Sequence, residues 1–161
     1  MNTIQEAKQS LRANWEKGIS CPCCGQFVKR YGRSITSSMA YGLILLHKYF
    51  VKNPSEEWLH VSSYFSDLNI PSPVKQGMGD FAKLKYWGFI ESAPEHRDDG
   101  SPRNGYWKIT ESGKMFAFGE MSVPSKIFLY DSKVVGIGEN MMTIRDALRK
   151  KFDYSELMNS V

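Results

Sequence analysis

The stretch WLHVSSYFSDLNIPSPVKQGMGDFAKLKYWGFIES, residues 58–92, decides how this chain is read. Trp58 to Val61 is a short strand pattern. Ser62 or Ser63 then caps a brief helix that runs to Leu68. Asn69-Ile-Pro-Ser72 is a turn, with Ser72 an N-cap candidate and Pro73 suited to the first helical position. The helix predicted from Pro73 to Trp87 puts Val74, Met78, Phe81 and Leu84 on one side. Lys75, Gly79, Lys83 and Tyr86 form a second stripe facing elsewhere. Gly88 closes that helix. Phe89–Ser92 and Tyr106–Ile109 are then expected to pair across a charged tip, Glu95 to Gly105.

Working outward, residues 3–17 carry Ile4, Ala7, Leu11 and Trp15 at helical spacing, with Thr3 and Glu6 in a capping-box arrangement and Gly18 as the stop. A second helix, from about Ser34 to Phe50, is so densely apolar that it is expected to be the central buried one. Thr110 is the expected cap of a further short helix. Lys126–Tyr130 and Val134–Ile137 read as a hairpin around 131–133. A final helix is expected from about Met142 to Met158.

The order strand, helix, turn, helix, hairpin, followed by the ITESGKMF junction at 109–116, resembles the winged helix-turn-helix family. The layout is similar to that of MarR-like and PadR-like regulators and covers about residues 34–118. It implies an α+β fold in three parts: an N-terminal helix and cysteine arm over 1–33, a winged-helix core over 34–118, and a C-terminal hairpin-helix extension over 119–161. It also implies duplex DNA binding, with one helix in the major groove and the hairpin loop beside it. Carried over residue by residue, the contacts are Lys75, Gln76 and Lys83 on the helix and Arg97 and Arg103 on the wing; Ser72, near the helix start, and Tyr86, on the stripe of Lys75 and Lys83, join them from the helical pattern itself. The glycine pair Gly77 and Gly79 and the acidic tip Asp98-Asp99 depart from a dedicated DNA reader. From 73 to 114 there are seven basic and six acidic residues, so this segment is nearly neutral.

The formal net charge is +4, and residues 1–33 account for all of it. Six basic side chains there face two acidic ones, Glu6 and Glu16, whereas the remainder is balanced. Within Gln26–Arg33 the basics Lys29, Arg30 and Arg33 alternate with Phe27 and Tyr31, a pattern suited to phosphate contacts from a packed strand or arm. A solvated basic face is the plain alternative. Hydrophobic content of 42% is ample for a packed core. No apolar run is long enough to span a bilayer, and the start of the chain lacks a basic, apolar leader, so a cytoplasmic protein with reduced thiols and no membrane partner is expected.

All three cysteines lie in Cys21-Pro-Cys-Cys-Gly25. Cys21 and Cys24 have the C-x₂-C spacing of one zinc knuckle, but a tetrahedral site needs four ligands. Three readings stay open: a remnant knuckle without metal, a zinc site completed by a histidine or a second subunit, or a redox pair. The cysteine turn with a basic arm and a winged helix also looks similar to small phage and prophage proteins. Enzyme signatures are weak. Gly77-Met-Gly-Asp-Phe-Ala82 matches a loose dinucleotide pattern but falls inside a predicted helix, and His60 is isolated. The expected function is therefore non-enzymatic DNA binding, as a transcription regulator or mobile-element accessory factor, without a cofactor unless zinc is bound. The terminal helices are homodimer candidates. The alternative is a protein-interaction module on the same scaffold, anchored by the C-terminal tail or by exposed Tyr86 and Trp107.

Overall fold

The computed structural model describes residues 3–94, 105–130 and 132–160. The fold is mixed α+β. The first elements are α1 (Ile4–Asn14), β1 (Ile19–Ser20), β2 (Phe27–Val28), β3 (Tyr31–Ser34) and α2 (Ser37–Lys52). Next come β4 (Leu59–His60), α3 (Val61–Asp67), α4 (Ser72–Gly77) and a 3₁₀ helix, Met78–Trp87. They are followed by β5 (Ile90–Ser92), β6 (Tyr106–Ile109), α5 (Glu111–Ala117) and β7 (Val123–Pro124). The chain continues with β8 (Lys126–Tyr130), β9 (Lys133–Ile137), β10 (Met141–Met142), α6 (Ile144–Leu148) and α7 (Tyr154–Asn159). Among the described residues no helix is long and apolar enough to cross a membrane.

The three consecutive segments read from the sequence regroup in space. One compact unit joins the chain up to Ser34 with Lys126–Glu139, and the other joins Ile35–Ser125 with Asn140 onward. The expected C-terminal hairpin, β8 and β9, thus belongs with the N-terminal arm. It pairs with β3 in a three-stranded antiparallel sheet of order β3-β8-β9, with Tyr31 opposite Leu129 and Ser34 opposite Lys126. The 119–161 extension is therefore divided between the two units.

In the first unit the Thr3–Glu6 capping box forms as its spacing predicts. Glu6 N–H donates to Thr3 Oγ1 at 3.1 Å, and Thr3 N–H donates to Glu6 Oε2 at 2.8 Å. Each satisfies a backbone donor that the helix leaves open. Few apolar side chains are buried here. Arg30 instead holds elements together, its guanidinium 4.0 Å from the Phe128 ring centroid and 2.5 Å from Glu16.

The second unit has an extended core around α2. That helix buries Met39, Ala40, Leu43, Ile44 and Leu46 and packs against α4, α5, α6, α7, β6 and the 3₁₀ helix. Gly42 lets Phe81 approach closely: a Cβ there would lie 2.9 Å from the Phe81 ring. Gly77 likewise faces Ser38 of α2, so its lack of a side chain serves helix packing rather than an approach to DNA. The sheet is three-stranded and antiparallel, of order β4-β6-β5. Phe89 and Phe116, both fully buried, stack behind it with ring centroids 4.6 Å apart. Thr110 caps α5 as expected, accepting from Gly113 N–H at 3.0 Å.

Two predicted helices come out differently. The Pro73–Trp87 helix is α-helical only from Ser72 to Gly77, where Pro71 is the N-cap and Ser72 the first helical residue, and it then tightens to 3₁₀. Met78, Phe81, Leu84 and Trp87 recur every third residue, which suits three residues per turn, and the nearby glycines weaken an α-helix. The Met142–Met158 helix is broken into α6 and α7 at Arg149, whose φ is +59°. Thr143 and Asp153 each cap one piece, Asp153 Oδ1 accepting from Glu156 N–H at 2.8 Å. Such local side-chain bonds compete with continuing one helix. His60 also gains a structural role, its Nδ1 accepting from Ser63 N–H at 3.3 Å as the cap of α3.

Candidate nucleic-acid interface

α3 ends at Asp67 and α4 begins at Ser72, a short turn that leaves the outer side of α4 accessible. Val74 is buried and fixes the rotation of α4, so Ser72, Lys75 and Gln76 are exposed. A lysine there can neutralise a phosphate, and a glutamine can bond the N6/N7 edge of adenine.

The 3₁₀ geometry splits the rest of the predicted stripe. At three residues per turn, residues three apart eclipse each other. Asp80, Lys83 and Tyr86 therefore share one row, while Gly79 falls on another. Lys83 Nζ bonds Asp80 Oδ1 at 2.6 Å, so its charge is already engaged. Tyr86 is half-buried, and Lys85 Nζ lies 5.2 Å from its ring centroid. Trp107 is also half-buried rather than an exposed anchor. Strands β5 and β6 pair as predicted, Glu91 opposite Lys108 with their charges 3.5 Å apart. Arg97 and Arg103 lie outside the described residues, as does His96.

The arm residues belong to the first unit. Lys29 and Arg33 are exposed, whereas Arg30 is held by Glu16 and Phe128. Of the residues picked for phosphate contact, Lys75, Lys29 and Arg33 are thus presented, and Lys83 and Arg30 are tied to acidic partners. Of the terminal helices read as dimer candidates, α1 buries only Ala7 and leaves Ile4 exposed, whereas the C-terminal pieces are engaged internally. α6 buries Ile144, Ala147 and Leu148, and α7 is tied to α2 by Lys48 Nζ donating to Leu157 O at 2.8 Å.

A feature that the sequence reading did not identify is an open cleft of about 470 Å³ between α3 and the 3₁₀ helix, beside β6. Phe65, Met78, Phe81 and Trp107 line it, with Ser62 and Lys75 among the polar side chains. Its one sequence signal is the three-residue apolar period from Met78 to Trp87, because that period turns Met78 and Phe81 toward α3.

The cysteine turn lies between β1 and β2, which pair Ile19 with Val28 and Ser20 with Phe27. Cys21 N–H donates to Gln26 O at 2.8 Å, and Gly25 N–H returns to Cys21 O at 2.9 Å. The backbone N–H groups of Cys24 and then Cys23 bond the Cys21 sulfur and hold its pKa below the ordinary thiol value. Among the described residues no three His, Cys, Asp or Glu side chains are grouped so as to hold a metal ion.

Comparison with protein-family models, with curated proteins and with solved structures finds no match to this chain.

Proposed function

We propose that this protein binds duplex DNA through a winged-helix arrangement of α2, α3, α4 and the β4-β6-β5 sheet. It would act in the cytoplasm as a transcription regulator or mobile-element accessory factor, with no catalytic step. The observation that carries this reading is the exposed side of α4. A short turn after α3 and the burial of Val74 leave Ser72, Lys75 and Gln76 outward, ahead of an antiparallel sheet whose loop contains Arg97 and Arg103. In the proposed complex α4 enters the major groove, Lys75 contacts phosphate and Gln76 meets a base edge. The wing arginines contact the minor groove or its phosphates, and Lys29 and Arg33 add backbone contacts.

The test is fluorescence anisotropy with random-sequence duplex DNA across a salt series. Five phosphate contacts, from Lys29, Arg33, Lys75, Arg97 and Arg103, give a log–log slope of about −4 to −5. Lys75→Ala makes it shallower by about one, whereas Lys83→Ala, whose charge is held by Asp80, changes it by less than about half of that. Absence of binding at low salt overturns the proposal.

The apolar cleft favours a second reading, a protein-interaction module that takes an apolar side chain of a partner between Phe65 and Trp107. Under that reading a bound partner shifts the emission of Trp107, and Lys75→Ala does not weaken the complex by reducing a salt slope.

A further inference from the structure

We propose that Cys21 and Cys24 form half of a tetrahedral zinc site, completed by the same two thiols of a second copy of this chain. Three features lead there. The first is the turn itself. The hydrogen bonds at Cys21 and Gly25 close it at both ends, and Gly25 takes the left-handed conformation, φ +75°, that lets the chain double back directly after the second thiol. Cys21 and Cys24 thereby sit on one closed turn at the C-x₂-C spacing, with a glycine directly after the second thiol, the shape of one zinc knuckle.

The second feature is the incomplete ligand set. Zinc in a structural site takes four ligands, commonly four thiolates. Among the described residues no group of three or more His, Cys, Asp or Glu side chains could hold a metal ion, so one copy of the turn offers an incomplete set. His60 Nδ1 is engaged in capping α3, and His47 is buried. The sulfur-bearing turn is accessible, Cys21 being partly exposed and Cys24 exposed. Two such turns, one from each copy, supply four thiolates and a closed shell. Binding releases the thiol protons to solvent, and Lys17 and Lys29, which flank the turn in sequence, offset the excess negative charge of the tetrathiolate centre.

The third feature identifies the occupant as a second copy. The cysteine-bearing unit consists of 34 residues up to Ser34 and 14 from Lys126–Glu139, a size at which an apolar core alone seldom suffices and a metal or an oligomer contact commonly assists. Phe27, on the strand leaving the turn, stays 60% exposed. In the same unit Tyr31, Val134 and Ile137 are exposed as well. A homotypic contact built around the metal would cover Phe27 beside the turn.

The experiment is zinc analysis together with light-scattering mass on the full chain, purified under reducing conditions without chelator and supplemented with zinc sulfate. The expected result is one zinc per two chains in a species of twice the 18.4 kDa chain mass. EDTA should remove the metal and halve the mass, and renewed zinc sulfate should restore both. Cys21→Ser and Cys24→Ser should each lose metal and pairing, whereas Cys23→Ser keeps both. Substituting cobalt(II) into the wild-type chain gives a readout independent of any variant's folding: thiolate-to-cobalt charge transfer with tetrahedral visible bands. One zinc per single chain, no zinc retained, a pair that survives EDTA, or loss of metal in Cys23→Ser would each overturn the proposal.

Discussion

The two units of this protein are held together in different ways. Among the described buried apolar residues, only Ala7, Val28, Ile127 and Leu129 belong to the first unit, whereas the second has a continuous cluster from Ile35 to Leu148. The second unit is stabilised chiefly by burial, each fully enclosed Leu or Phe contributing roughly 1.5–3 kcal/mol. The first relies on strand pairing and on polar-aromatic contacts: Arg30 against Phe128 and Glu16, and Trp15 against Tyr130 at 5.6 Å. The same contrast separates cations that hold structure from cations that do not. Arg30 and Lys83 are engaged, while Lys29, Arg33 and Lys75 are presented to solvent.

The strongest way to break this comparison is Phe116→Ala. Deleting a fully buried ring that stacks on Phe89 should destabilise the second unit by about 3–5 kcal/mol. Trp58, Trp87 and Trp107 report that unit, and Trp15 reports the first. Denaturation followed in a Trp15→Phe background should therefore move, while the Trp15 signal should not. Equal movement of both would mean that the contrast is not energetic. Next in size is Arg30→Ala, expected to cost about 1–2 kcal/mol in the first unit through its ring and ion-pair contacts. Lys29→Ala should stay within about 0.5 kcal/mol and, under the proposed function, weaken DNA binding instead.

A further effect, confined to the acid side, concerns His47. It is buried on α2 against Phe118, its ring centroid 4.6 Å from that of Phe118, and among the described residues its Nδ1 has no hydrogen-bond partner. Burial first, and then the Lys114 charge, hold its pKa below the usual imidazole value of 6.5. The folded state therefore binds this proton less readily than the unfolded state. Its contribution is fully present above about pH 6.5 and declines as pH falls below that, by at most about 1.4 kcal/mol per pH unit. In His47→Leu that part of the acid-side loss should vanish from the unfolding curve of the second unit. An unchanged pH dependence would assign it to other groups.

Much of the local structure was legible because it is written in local chemistry. Thr3 with Glu6, and Thr110 ahead of Gly113, sit at the spacing that brings a side chain back to a free backbone donor. Their caps formed where the sequence placed them. The hairpin strands and the burial of α2 followed from alternation and from sheer apolar density. The candidate interface was only partly legible. Ser72, Lys75 and Gln76 are exposed as expected, but reading Met78–Trp87 at 3.6 residues per turn grouped Lys83 with Gly79. At three per turn it stands beside Asp80. The cleft between α3 and the 3₁₀ helix went unseen because Phe65 and Trp107 meet it from distant parts of the chain.

The sequence by itself determined the caps at Thr3 and Thr110, the strands of the β5–β6 and β8–β9 pairs, and the apolar density that buries α2. These are matters of neighbouring residues and short-range periodicity. Only the tertiary structure decided that β8 and β9 join β3 instead of extending the larger unit, and that Gly77 serves contact with Ser38. It alone decided which lysines and arginines are held by partners. Strand pairing across ninety residues and the neutralisation of one charge by another depend on side chains that only folding brings together.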